Sequence, residues 1–176
     1  MSRARLLTAG SAALLALLVP AAAHAQSIFA LGIAAGATVP TGGLGDRTST
    51  GYHAMVTLSA HAPLTPFTVR AEGMFNSLDY KSSGGANASG SAHVWAATAN
   101  AMYTYSPVLG PYLIGGVGYY HTTESGATGS ANDFGVNGGV GFRLARTGFS
   151  AYAEARYHYV SGSDVRMIPL TVGLTF

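Results

Sequence analysis

After position 26 the side chains alternate between two classes with a period of two, in one segment after another. Successive side chains point to opposite faces only in an extended strand, so this period commits the chain to β-structure with two dissimilar faces. From Phe29 the odd positions are Phe29, Leu31, Ile33, Ala35, Ala37 and Val39, and Ala, Gly and Thr stand between them. The same alternation runs through Tyr52–His61, Phe67–Asn76, Trp95–Tyr103, Asp133–Leu144, Phe149–Tyr159 and Met167–Phe176. Residues 112 to 121 form one further strand with large side chains at both parities. Its outer set is either Leu113, Val117 and Tyr119 or Ile114 and Tyr120, and the pattern leaves both open.

That makes eight strands, an even number that brings both termini to one side, as a closed antiparallel barrel requires. The connections alternate in length. Pro63-Leu64-Thr65-Pro66, Ser106 to Pro111 and Arg146-Thr147-Gly148 are short turns, whereas Pro40 to Thr50, Asp79 to Ala92 and Thr122 to Ala131 are longer polar loops. Val160 to Arg166 is a shorter polar loop on the same side. Short turns at one end and long loops at the other are the asymmetry of a transmembrane barrel.

The solvent outside the barrel follows from what the two faces carry. Large apolar or aromatic residues recur eight positions apart on the apolar face, at Phe67/Phe75, Trp95/Tyr103, Phe134/Phe142, Phe149/Tyr157 and Ile168/Phe176. Eight residues span about 26 Å along a strand, or roughly 20 Å along the membrane normal at a tilt near 40°. The pairs therefore set Phe67, Phe75, Trp95, Tyr103, Phe134, Phe142, Phe149 and Tyr157 as aromatic girdles at the two interfaces. A soluble barrel with its apolar face inward would carry many charges on the other face. Only 9% of this chain is charged, against about a quarter in an ordinary soluble domain. The other face is mainly Gly, Ala, Ser, Thr and Asn, and the expected fold is an all-β, eight-stranded antiparallel up-and-down transmembrane β-barrel.

The few interior charges are placed in pairs. Arg70 and Glu72 stand two apart, as do Glu154 and Arg156, so each pair shares the inward face; Arg143 joins them by parity, and so does Asp133. An unpaired ion in a water-poor interior costs several kcal/mol, which predicts a cross-lumen network of Arg70, Glu72, Arg143, Glu154 and Arg156. Eight strands leave an interior just filled by side chains. The network is therefore read first as a plug, and second as a gate in a narrow channel.

Residues 1–25 read as an export signal, with Arg3 and Arg5 before an apolar stretch from Leu6 to Val19 and Ala23-His24-Ala25 before the cleavage point. The apolar stretch is short of the roughly 20 residues of a helical span. Removal of Arg3 and Arg5 leaves seven basic against seven acidic side chains in residues 26–176, so the basis for nucleic-acid binding disappears. With no Cys, disulfides and thiolate-bound metals are excluded. His53, His61, His93, His121 and His158 show no metal-ligand spacing, and no cofactor is expected. His121 with Glu124, or His158 with Ser161, would be the nearest approach to a hydrolytic constellation, without a third orienting residue. Gly115-Gly116-Val117-Gly118 precedes no helix and so is no nucleotide loop. The chain is expected not to be an enzyme; a lipid-modifying barrel is the least favoured reading.

With these features in hand, the chain resembles the outer-membrane beta-barrel domain family, the small OmpA-like and OmpX-like eight-stranded proteins. The residues that carry the likeness are Ala23-His24-Ala25, the stretch Val39 to Leu44, the stretch Pro111 to Tyr119, Glu154-Ala155-Arg156-Tyr157 and the segment Pro169 to Phe176. The resemblance implies an outer-membrane location in a diderm bacterium after export through the periplasm. It also implies that Gly173, Leu174 and Phe176 form a terminal signal read by the barrel assembly machinery. The expected partners are that machinery and the outer-membrane lipids, the expected state is a monomer, and the expected role is structural or surface-interacting, with the polar loops outside. A narrow channel for ions or small solutes is the alternative.

Overall fold

The computed structural model describes residues 28–81, 90–106, 109–124, 130–163 and 165–176. Residues 1–25, expected to be an export signal, lie outside the described residues, as do parts of the second, third and fourth long loops and of the turn from Ser106 to Pro111. Eight strands are described: β1 (Phe29–Thr41), β2 (Gly51–His61), β3 (Phe67–Asp79), β4 (Ser91–Thr104), β5 (Leu109–Glu124), β6 (Ser130–Arg146), β7 (Phe149–Val160) and β8 (Arg166–Thr175). Each pairs antiparallel with its sequence neighbours, and β1 pairs with β8 from Gly32↔Thr175 to Thr41↔Arg166, so the sheet closes into an up-and-down barrel with no free edge.

The expected faces hold. Phe67, Trp95, Tyr103, Phe134, Phe142, Phe149 and Tyr157 are exposed on the outer surface, among Leu, Val and Ala. Phe75 also points outward but is half-covered, because its ring lies 4.6 Å from that of Trp95 and 5.5 Å from that of His93. On β5 the open alternative is decided: Leu113, Val117 and Tyr119 are outside, whereas Tyr112, Ile114 and Tyr120 are buried in the lumen.

Glycines explain how large rings fit indoors. A Cβ on Gly141 would stand 2.1 Å from Tyr112 Cζ, and one on Gly173 would stand 2.4 Å from Tyr152 Cζ. Each tyrosine ring therefore lies flat over a bare patch of the neighbouring strand. Tyr120 uses Gly135 in the same way, at 2.8 Å from its Cε2. Three of the ten tyrosines thus serve the lumen rather than the interfacial girdles.

Two segments differ from the sequence expectation. The strands are longer than the alternation alone marks: β5 begins at Leu109 and takes in Pro111, and β6 runs over 17 residues. Ladder pairing continues past the apolar band, where side-chain contrast no longer reports it. The first long loop is not wholly irregular either. After β1 a short helix, α1 (Gly42–Arg47), turns over the barrel mouth and buries Leu44, with Gly42 in the left-handed region at φ 59° where a side chain is disfavoured. Leu44 packs with Leu78, Val165 and Met167 in an apolar layer at the long-loop end. Val165, expected in a polar loop, belongs to that layer.

Candidate functional site: the closed lumen

Inward positions along β3 and β7 follow one another in layers from the short turns toward the long loops. On β3 they are Thr68, Arg70, Glu72, Met74, Asn76 and Leu78; on β7 they are Ser150, Tyr152, Glu154, Arg156, His158 and Val160. These strands are four apart in a ring of eight, so they face each other across the lumen. Their ionic positions meet at the same height.

Four contacts close a ring of charge. Arg70 Nε lies 2.5 Å from Glu72 Oε1, and Arg156 Nε lies 2.7 Å from Glu154 Oε1, each along its own strand. Arg70 Nη2 reaches Glu154 Oε2 at 2.7 Å, and Arg156 Nη1 reaches Glu72 Oε2 at 2.7 Å, both across the lumen. All four side chains are at most 3% exposed, so the ions are removed from bulk water together with their partners. Two cations and two anions leave the ring neutral, which is the condition for holding charge at such depth.

The other walls supply hydrogen bonds to the ring. Thr98 on β4 donates to Glu72 Oε2 at 2.9 Å, and Tyr112 on β5 donates its hydroxyl proton to Glu154 Oε2 at 2.7 Å. Arg156 donates to Asn137 Oδ1 on β6, Asn137 donates to Asn100, and Asn100 donates to Thr98. The ion ring is thereby tied to β4, β5 and β6 as well as to β3 and β7. Arg156 Nη2 also contacts Met55 Sδ at 3.4 Å, the first atom of the apolar layer above.

Between the ring and the mouth lies a second polar level. His53 sits between Thr38 and Thr171 at 3.0 Å from each hydroxyl, and Thr38 donates to Asn76. His158 Nδ1 lies 2.8 Å from the Tyr120 hydroxyl. These two histidines are buried and serve the packing of the lumen. His61 contacts Thr68 at 2.8 Å, His93 contacts Ser91 at 3.1 Å and His121 contacts Asn132 at 2.7 Å. Among the described residues no group of three His, Asp or Glu side chains is placed to hold a metal.

Arg143 stands apart from the ring, contrary to the expected grouping. In the β6–β7 register it lies opposite Tyr152, two rungs nearer the short turns than the Gly141↔Glu154 pair. It is half-buried and donates to Ser150 Oγ at 3.1 Å. Asp133 lies toward the other end, opposite Tyr120. Shared parity identified the face of both residues but not their height. Gly173, Leu174 and Phe176 lie at the closing seam, where Phe176 exchanges backbone hydrogen bonds with Leu31 at 2.7 and 3.1 Å.

Sequence reasoning missed Leu44. It put Tyr152 on the inward face with Glu154 and Arg156, left the facing of β5 open, and missed the room made for the luminal rings. Gly141 and Gly173 were the available sign of that room, since a bare position next to an aromatic on the paired strand makes room for a ring.

A family model described as outer membrane protein beta-barrel domain matches residues 9–176. No curated protein sequence matches the chain significantly. Among solved structures, Neisserial surface protein A (NspA) is similar at 17% identity and a TM-score of 0.67, over 86% of this chain and 98% of that one. Ail, the attachment invasion locus protein of Yersinia pestis, is similar at 14% identity and a TM-score of 0.54, over 84% and 97%. The N-terminal β-barrel domain of Pseudomonas aeruginosa OprF gives 18% identity and a TM-score of 0.52, over 84% and 97%. At these identities the likeness speaks for the fold alone.

Proposed function

The chain belongs to the outer membrane protein beta-barrel domain family, and from that premise we propose that it acts as a closed outer-membrane barrel, a structural plug that presents its long loops outside the cell. The observation that carries this reading is the neutral ring of Arg70, Glu72, Glu154 and Arg156 across the lumen, stacked under an apolar layer that Leu44 of α1 completes. An ion crossing the barrel would have to break paired buried charges and then enter an apolar layer. Either step alone is expensive.

In this reading residues 1–25 direct export through the periplasm, the assembly machinery engages Gly173, Leu174 and Phe176, and the mature barrel is a monomer in outer-membrane lipid. The protein is not an enzyme and takes no cofactor. Planar-bilayer recording tests the reading: purified barrel is expected to give no steady unitary conductance, and defined steps would replace the plug with a narrow channel. A change in lipid A mass on expression would replace it with a lipid-modifying activity.

A further inference from the structure

The lumen below the ion ring is not filled. A cavity of about 490 Å³ opens at the short-turn end beside Ile28, Thr65 and Tyr105 and reaches inward to Arg70, Arg143 and Tyr152. Its charge is one-sided. None of the residues lining it carries a side-chain carboxylate, while two arginines do line it. Arg70 is neutralised by Glu72 and Glu154. Arg143 meets no carboxylate among the described residues and has Ser150 as its hydrogen-bond acceptor, which leaves most of its five N–H donors unmatched.

The neutral groups around Arg143 are enclosed or engaged. Tyr152 and Thr104 are each 7% exposed with enclosed hydroxyls, and that of Tyr152 lies over Gly173 of β8. Tyr152 is directly opposite Arg143 in the ladder, so their side chains leave neighbouring points of one wall. Thr68 and Tyr112 are already engaged, with His61 and Glu154. What remains is a pocket with one uncompensated cation and no side-chain carboxylate in its lining. An oxygen-rich anion satisfies several N–H groups of one guanidinium at once, in charge-assisted hydrogen bonds.

We infer that the short-turn end of the barrel is a binding site for a small oxyanion, held by the Arg143 guanidinium and entering past Thr65 and Tyr105. Phosphate and carboxylate share the chemistry required, whether free or on a lipid headgroup. A closed barrel could lack this site and a conducting one could keep it, so it fails or stands separately from the plug reading.

The test is titration of the folded barrel in an uncharged detergent with inorganic phosphate or acetate at constant ionic strength, read by NMR shifts of the Arg143 and Tyr152 signals. Saturable shifts are expected, with affinity lowered about tenfold or more in Arg143→Gln, the loss of one charge-assisted hydrogen-bond set. Arg146→Gln, on the outer face of the same strand, is expected to bind as the wild type does. Unfolding of Arg143→Gln in anion-free buffer is expected to be unchanged, which separates ligand binding from a structural role. Displacement of bound phosphate by monomeric short-chain phosphatidylglycerol at constant ionic strength assigns the anion to a lipid headgroup; no displacement assigns it to a free solute. Absence of saturable shifts with both anions, or equal binding by Arg143→Gln, overturns the site.

Discussion

Arg70 and Glu154 lie 84 positions apart and meet at 2.7 Å across the full width of the barrel. The same separation joins Glu72 to Arg156, so two strands that share no ladder are bolted together through the lumen. Strand pairing alone closes the wall of a barrel. These contacts brace it from inside.

Removing one member should cost more than removing all. Glu154→Gln leaves Arg70 and Arg156 with one anion between them, and we expect a loss of about 3–5 kcal/mol in urea unfolding from lipid vesicles. Replacing Arg70, Glu72, Glu154 and Arg156 together with Met and Leu should cost less than the single change, because no charge is then stranded. A quadruple variant less stable than Glu154→Gln would contradict this.

The ring was legible in the sequence because Arg70-x-Glu72 and Glu154-x-Arg156 each put opposite charges on one face. Closure into eight strands then set β3 against β7. What was not legible is instructive in physical terms. Arg143 shares the ring's parity, but height along the axis depends on register, which no single strand encodes. On β5 the rule of large outside and small inside failed, because Gly141 and Gly135 on β6 make room for Tyr112 and Tyr120. α1 escaped notice because six residues with three glycines show no helical periodicity, and only the burial of Leu44 reveals its purpose.

The bare wall under Tyr112 gives a sharp contrast between glycines. Gly141→Ala should displace the ring and its hydrogen bond to Glu154, at about 1–3 kcal/mol of overpacking. Gly138→Ala, whose Cβ would meet nothing closer than 3.9 Å, should be nearly neutral. Chemical denaturation of the two variants side by side checks the contrast, and equal effects would refute it.

Leu44 is expected to hold α1 on the mouth. Leu44→Glu should place a charge in the apolar layer and release the helix, so trypsin cleavage after Arg47 should accelerate while the barrel still runs in its folded form on unboiled gels. Unchanged cleavage would mean that the helix docks without Leu44.

Lipid on the outer face predicts a depth-dependent penalty. Val117 is 61% exposed and sits near the middle of β5. Val117→Arg should cost about 2–4 kcal/mol on folding into vesicles. A neutral result would place that strand in water.

The claim that the ring acts as one unit is tested most directly by a double-mutant cycle between Arg70→Gln and Glu154→Gln, measured by reversible unfolding in lipid. The ring predicts a coupling energy of about 2 kcal/mol or more, with the double variant far less damaged than the sum of the singles. Losses that add to within about 0.5 kcal/mol would show that the two residues do not brace the barrel across its lumen.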